Sequence, residues 1–409
     1  MDPVTSSSND PMVLIRTFED LFGQLKSFNS TYGRDPRGVD DETRKELLEA
    51  CRKASAVLET PFETMQRVNY SPFTLIVLRV ATGYGILNFL DEARLSGVPC
   101  KVVHLAKETG IEHGVLVALL DRLCSEFIVR EVSPDEYMGT AICKDLATPE
   151  MIDAFATFHD LLLPVWSQLY KSLAPGETRT GWEIAHNTEI QPYQWWESHP
   201  EDGALLHRYF TAQFKDLPSW LDGIDFAIGF AKGASSEDVL LVDVGGGNGQ
   251  ESELLRSKFP DCLGRVILQD LPAVLERAPE LKRIEKMAHD YFTEQPVHGA
   301  RVYYFRQIFH NNSDENCIAI LSNHRPAMTS HSVILIDEKV LPDVTDASQL
   351  YTSALSLNMS INFRGLERKK RQWLKLMEAA DFEIRDMRRY TAFGDCIISV
   401  VPRTANTQA

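Results

Sequence analysis

Apolar residues recur at helical spacing through the first third of the chain and then change to short unbroken runs. Residues 12–28 place Val13, Phe18, Leu21, Phe22, Leu25 and Phe28 close to one amphipathic stripe. Gly33, Pro36 and Gly38 break it, and a second helix is predicted over Glu42–Leu58 with Pro61 as its stop. Little in the adjacent sequence covers these apolar faces, which points to packing against a second chain. Residues 72–145 read as a winged helix-turn-helix. A helix is expected over Thr74–Phe89, a second over Val103–Thr109, a turn at Gly110, a third helix over Glu112–Glu126, and a hairpin from Ile128–Val132 and Glu136–Gly139. Residues 151–236 predict a mostly helical segment dense in aromatics, among them Phe155, Phe158, Trp166, Tyr170, Trp182, Tyr193, Trp195, Trp196, Tyr209, Phe210 and Phe214. Most aromatics at this density fill a core, and the rest are candidates to line an apolar cleft.

From Asp238 onward, runs of strand character alternate with amphipathic stretches. Strands are expected at Val239–Val244, Arg265–Gln269, Ile284–Ala288, Arg301–Phe305, Ser332–Ile336, Ile384–Arg388 and Cys396–Val401. Helices fall between them at Glu251–Phe259, Ala273–Arg277, Asp314–Arg325, Leu350–Leu357 and Lys369–Ala380. Such alternation builds a doubly wound α/β sheet with its ligand site at the strand C-termini. The last two strands are joined only by Arg389–Asp395. That link is too short for a parallel crossover, so the final strand should run antiparallel.

Charge narrows the partners. A net charge of −16 argues against nucleic acid or an anionic membrane surface. The expected third helix of the helix-turn-helix holds one arginine against Glu112, Asp121 and Glu126, so that module reads as a scaffold rather than a DNA reader. No apolar run is long enough to span a bilayer, and Met1–Pro11 has neither a basic nor an apolar leader segment. The seven cysteines are scattered without a C-x-x-C, as expected of free thiols in a reducing cytoplasm. At 409 residues the chain should hold two or three packed units. The segments that build them are expected at 1–71, 72–150, 151–236 and 237–403, with a short tail at 404–409.

Chemistry concentrates at Leu240–Gln250, where a strand runs into Gly245-Gly246-Gly247-Asn248-Gly249 and then a helix. Glycine permits the positive φ and close ligand approach that such a turn needs. A dinucleotide fingerprint fails, because Gln250 or Ser252 stands where its third glycine belongs, and the Lys-Ser/Thr of a phosphate loop is absent. What remains is Asp-x-Gly-x-Gly with Asp270 closing the second strand, suited to both hydroxyls of a ribose. S-adenosylmethionine, with a ribose and no phosphates, fits that pair best.

Six ordered motifs carry a resemblance: VDVGGGNG, QDLPAV, HDYF, RVYYFRQIFH, ILIDEKVLPD and GLER, strongest between Asp243 and Trp373. The chain resembles the plant- and fungal-type S-adenosylmethionine-dependent O-methyltransferases, the caffeic-acid and sterigmatocystin O-methyltransferase relatives. That resemblance implies a Rossmann-like class I methyltransferase sheet with an antiparallel last strand, plus an all-α, winged-helix dimerisation domain and a homodimer. It implies His310 as general base, with Glu338 and Glu367 orienting it. It implies a cofactor site of Asp243, Gly245, Gly246, Gly247, Asp270, Leu271, Asp290, Tyr291, Phe292 and Arg306. Phe158, His159, Trp196, Asn311, Asn358 and Asn362 are expected to face the acceptor, a phenolic or polyketide-like small molecule. No metal is implied, since no His, Cys or carboxylates cluster at ligand spacing around the acceptor motif.

Two loops depart from the family pattern. Asn311-Asn312 follow the histidine where the family has aspartate and an aromatic, and Gly365-Leu366-Glu367-Arg368-Lys369 replaces Gly-Lys-Glu-Arg-Thr. They leave open an alternative in which a methyltransferase fold keeps the cofactor unconsumed for a pericyclic or dehydration step.

Overall fold

The computed structural model describes residues 15–17, 19–20, 23, 41–213, 217–345 and 349–403. Most of the stripe expected over residues 12–28, and the tail 404–409, therefore lie outside the described residues. The chain divides into a unit through Thr60 and a unit from Pro61 onward. In the first, helix α1 (Asp41–Leu58) presents Leu47, Leu48, Val57 and Leu58 as exposed residues.

In the second unit, Pro61 does more than stop a helix. It opens α2 (Pro61–Tyr70), which buries none of its residues. The single helix expected over Thr74–Phe89 is instead two, α3 (Pro72–Gly83) and α4 (Ile86–Ser96), because Gly85 takes a left-handed φ of 68° between them. Strand β1 (Cys100–Lys101), α5 (Val102–Thr109), α6 (His113–Ser125) and the hairpin of β2 (Val129–Ser133) and β3 (Glu136–Gly139) follow, and β1 pairs with β3. Val77, Leu90, Leu105, Leu116, Leu120 and Tyr137 fill one core between these elements. No single described helix is long and apolar enough to cross a membrane. Helices α2–α3 with α4 meet that test only as a pair bent by 77°, and the inner faces of α3 and α4 are accounted for by this core.

The aromatic segment folds as short helices, including α7 (Gly181–His186), α8 (Pro192–Ser198) and α9 (Pro200–Gln213). A π-helical turn, Thr157–Leu162, precedes them; such turns recur at functional sites.

The apolar runs after Asp238 become β4 (Val239–Val244), β5 (Arg265–Asp270), β6 (Glu285–Ala288), β7 (Val302–Arg306) and β8 (Val333–Leu341). The short β9 (Arg368–Lys369) pairs with the end of β8, and β10 (Phe382–Arg389) and β11 (Asp395–Pro402) close the chain. Strand order is β10-β11-β8-β7-β4-β5-β6, with β4 to β8 parallel and β11 antiparallel to both neighbours. The antiparallel last strand inferred from a short link is thus present. Helices α10 (Gln250–Lys258), α11 (Asp314–His324), α12 (Leu350–Phe363) and α13 (Lys370–Ala379) complete the domain. Strand order reverses between β4 and β7, which puts the turns leaving these two strands side by side.

Two elements run well past their expected ends. β8 was expected to end at Ile336 but continues through Asp337, Glu338 and Lys339 with all nine residues buried. α12 was expected to end at Leu357 but runs to Phe363, carrying Asn358 and Asn362 into the fold.

Candidate active site

The turn after β4 is rich in glycine because its backbone takes positive φ and because Gly245, Gly246 and Gly249 leave no room for a Cβ. Gly245, Gly247 and Gly249 take φ of 67°, 59° and 78°. A Cβ on Gly246 would lie 2.6 Å from Cγ of Asp243, and one on Gly245 2.7 Å from Ile308. Asp243 sits beneath this turn and accepts a 2.7 Å hydrogen bond from the Ser252 hydroxyl, while burial pushes its carboxyl up to about 7. Asp270 ends β5 and accepts from the N–H groups of Gly247 (2.8 Å) and Leu271 (2.7 Å). Each of its oxygens keeps a second lone pair for a ligand. Burial also raises Asp270 and Glu251, so three acids crowd this end of the cleft. Leu271 and Phe292 are exposed apolar side chains on the turns leaving adjacent strands β5 and β6. Tyr291 packs 4.9 Å from Phe292, and Asp290 accepts from the Phe292 N–H at 2.9 Å.

Arg306, expected near the cofactor, is held from the other side. It pairs with Asp337 at 2.9 Å and Glu251 at 3.2 Å, and Asp337 also accepts from the hydroxyls of Tyr304 and Tyr390. The arginine thereby ties the start of α10 to β7 and β8.

His310 follows β7 in a short 3₁₀ turn, Phe309–Asn311, clasped from three directions. From β8, Glu338 Oε1 accepts the backbone N–H groups of Phe309 (2.7 Å) and His310 (3.1 Å). From the loop after α12, Glu367 Oε1 takes the His310 Nδ1–H at 2.7 Å, and the second Glu338 oxygen lies 3.5 Å from Nδ1. Arg368, 1 % exposed, donates to the carbonyls of Phe309 (2.8 Å) and Asn312 (2.9 Å) and to Asp314. The backbone of Gly365 passes so close that a Cβ there would fall 1.9 Å from the His310 carbonyl oxygen. Nδ1 is thus committed, and Nε2 has no hydrogen-bond partner among the described residues. Burial alone would lower the imidazole, but the charges of Glu338 and Glu367 outweigh it and raise it to about 9. Burial raises Glu338 to about 7.

His310, Glu338 and Glu367 also form a cluster that sequence spacing did not reveal, with one ligand-type atom from each within 4.8 Å of the others. The Nδ1–H bond to Glu367 Oε1 and the two backbone donors on Glu338 Oε1 orient the imidazole, while the second oxygen of each glutamate is buried without a hydrogen-bond partner.

Acceptor-side candidates gather on the helices above this turn. Asn358 accepts from Trp166 Nε1 at 2.7 Å and from Asn362 Nδ2 at 3.0 Å. Asn362 is 1 % exposed and its Oδ1 has no partner. Trp196 packs edge-on to Trp182 and Tyr193, and Phe158 packs against Trp166 and Tyr209. His159 is drawn to Asp160 at 2.6 Å, which Arg79 also holds. Asn311 bonds Tyr193, a residue that sequence reading placed only among the aromatics. Arg368 was likewise missed as a clamp. Its place beside Glu367 in GLER was the available signal.

Comparison with known proteins follows this geometry. An O-methyltransferase domain family matches residues 235–383. The O-methyltransferase ucdC of Aspergillus ustus is 31 % identical over 354 residues, 85 % of this chain and 91 % of that protein. The demethylsterigmatocystin 6-O-methyltransferase of Aspergillus flavus is 29 % identical over 94 % of this chain and 98 % of its own length. Two solved structures are similar: "A Pericyclic Reaction enzyme" (TM-score 0.79, 27 % identity, 93 % of this chain and 99 % of that one) and "The structure of LepI complex with SAM" (TM-score 0.78, 28 % identity, 92 % and 98 %).

Proposed function

The chain belongs to the S-adenosylmethionine-dependent O-methyltransferases of the fungal secondary-metabolite type, and on that premise we propose that His310 is its general base for a phenolic, polyketide-like acceptor. The observation that carries the role is the fixed tautomer: Glu367 holds Nδ1–H, leaving the Nε2 lone pair to take a hydroxyl proton. When bound, S-adenosylmethionine supplies an electrophilic methyl group on a sulfonium.

The cleft suits such a ligand. Asp270 is placed for ribose hydroxyls, Leu271, Tyr291 and Phe292 for the two faces of an adenine, and Asp290 for its exocyclic amine. Gly245, Gly246 and Gly247 admit the methionine part, for which the buried acids Asp243 and Glu251 provide a field that favours a cation. Arg306 supports this end by holding Glu251. Phe158, His159, Trp196, Asn311, Asn358 and Asn362 shape the acceptor side. Glu338 and Glu367 would stabilise the imidazolium that forms when the proton arrives, leaving an aryl oxide for the methyl group that the bound cofactor would supply. A relative acting on demethylsterigmatocystin supports a polycyclic phenol as acceptor class.

A second reading is favoured by the likeness to a pericyclic reaction enzyme, in which the cofactor is not consumed. Counting S-adenosylhomocysteine against product separates the two. A ratio of one supports methyl transfer; product without S-adenosylhomocysteine rules it out.

The same reading makes the enzyme a cytoplasmic homodimer with the N-terminal domains, 1–71 and 72–150, as its interface. All seven cysteines are free thiols, and α2 and α3 leave Phe62, Met65, Val68 and Phe73 exposed. Light scattering should give twice the 46.2 kDa chain mass; a monomer at micromolar concentration sinks the dimer.

A further inference from the structure

Asn311 stands where the family pattern has an aspartate, and its hydrogen bonds reveal what the exchange does. Its Nδ2 donates to the backbone carbonyl of Gln307 at 3.1 Å and to the Tyr193 hydroxyl oxygen at 3.0 Å. A carbonyl can only accept, so the amide orientation is fixed by Gln307, independently of Tyr193. Tyr193 therefore receives a hydrogen bond on its oxygen, and its own proton points elsewhere. Among the described residues nothing accepts that proton. An aspartate at 311 would present acceptors alone and would capture it.

Tyr193 is also fixed in direction. It lies on α8, with its ring stacked on Phe363 (5.4 Å between centroids, 26° between planes) and edge-on to Trp196 at 5.2 Å. Phe363 ends α12 two residues before Gly365, whose backbone lies against the His310 carbonyl. The hydroxyl is thus tethered to the residue beside the base, and its ring is wedged against the loop that carries Glu367. Burial holds the phenol well above its ordinary range, so it stays a donor at any working pH. That burial is local to the hydroxyl, since the residue as a whole is half exposed and open to a ligand.

We propose that Tyr193 is a specificity-determining hydrogen-bond donor for acceptors whose reacting hydroxyl lies beside a carbonyl, such as a peri-hydroxylated polycyclic ketone. This rests on the methyl-transfer reading. In such a phenol the neighbouring carbonyl holds the hydroxyl proton in an internal hydrogen bond. The proton cannot pass to His310 until another donor satisfies the carbonyl. Tyr193 O–H takes that place, the freed proton moves to Nε2 of His310, and the aryl oxygen forms its bond to the methyl carbon. The electron pair of the broken carbon–sulfur bond stays on sulfur.

The test pairs 1-hydroxyxanthone, whose hydroxyl is peri to the carbonyl, with 3-hydroxyxanthone, whose hydroxyl is remote. With full-length enzyme and S-adenosylmethionine, kcat/KM is read from methylated product and S-adenosylhomocysteine together. Wild type should prefer the 1-hydroxy isomer, and that preference should fall by about tenfold in both Tyr193→Phe and Asn311→Asp, the effect of one lost hydrogen bond. Cofactor affinity by calorimetry should not change in Tyr193→Phe. Equal losses on both isomers, or a weakened cofactor, overturn the proposal. So does methylation of the 3-hydroxy isomer alone, which leaves methyl transfer standing. Absence of S-adenosylhomocysteine with both isomers overturns methyl transfer to this acceptor class, and the proposal with it.

Discussion

The two ends of the cleft are made differently. The end proposed for the cofactor is backbone and acid: a glycine turn, Asp270 on two N–H groups, and Asp243 on Ser252, all within the consecutive elements β4, α10 and β5. The end proposed for the acceptor is aromatic, assembled from the π-helical turn, α7 and α8 together with α12, which comes from far along the chain. One end fixes its carboxylates on backbone and hydroxyl donors before any ligand arrives, and keeps spare lone pairs on Asp270 and Glu251. The other leaves the indole N–H groups of Trp182 and Trp196 and the Asn362 oxygen without partners. A ligand common to a whole family can be met by fixed backbone, whereas a ligand peculiar to one enzyme is met by side chains that can change without disturbing the sheet. His310 stands between the two and belongs to neither.

That contrast can be broken by experiment. The largest effect is expected at the junction: His310→Ala should cost roughly 10²–10⁴ in turnover, the usual worth of a general base, with cofactor affinity retained. Weakened cofactor binding would show that the histidine belongs to the cofactor end. At that end, Asp270→Ala should weaken S-adenosylmethionine binding by roughly 1.5–3 kcal/mol, the scale of a charged hydrogen bond. Calorimetry on the folded variant checks it, and unchanged affinity would remove Asp270 from the site.

The pH profile sharpens the junction further. A histidine raised to about 9 by its two carboxylates is a cation at neutral pH, so the base form appears only as pH rises. The kcat/KM of the free enzyme should climb about tenfold per unit below that limb. Glu338→Gln removes a raising charge and should move the limb to lower pH. An acid limb that stays in place would mean Glu338 acts only through the backbone. The smallest effect belongs to the acceptor end. Asn362→Leu should raise the acceptor KM by roughly fivefold, about 1 kcal/mol, without touching cofactor affinity. A shift in both constants would mean that the two ends are not separable.

How much of this was readable beforehand follows the same division. The glycine turn and Asp270 are local in sequence, and the positive φ values at Gly245, Gly247 and Gly249 are those the spacing required. β8 runs past its expected end because three consecutive charges, Asp337-Glu338-Lys339, interrupt the apolar run without ending the strand. In the fold each charge is answered, Asp337 by Arg306 and two tyrosines, Glu338 by backbone N–H groups, and Lys339 by Asp395. Partners 28 to 56 residues away leave no periodic trace. The break at Gly85 was missed because apolar spacing continues across it, although one glycine in a left-handed conformation divides the helix. Tyr193 was invisible as a site residue because nothing local distinguishes a tyrosine that stacks from one that also donates.

The carboxylate beneath the His310 turn has one more consequence, in the time domain. The amides of Phe309 and His310 lie in a single 3₁₀ turn, where hydrogen exchange is ordinarily fast. Both end on Glu338 Oε1, inside a strand buried along its whole length. Their protons can leave only when β8 itself opens, so this turn should exchange with the slowness of the central sheet. Glu338→Gln, which keeps an acceptor oxygen but gives up its charge, should quicken those two amides while their neighbours in β7 keep their pace.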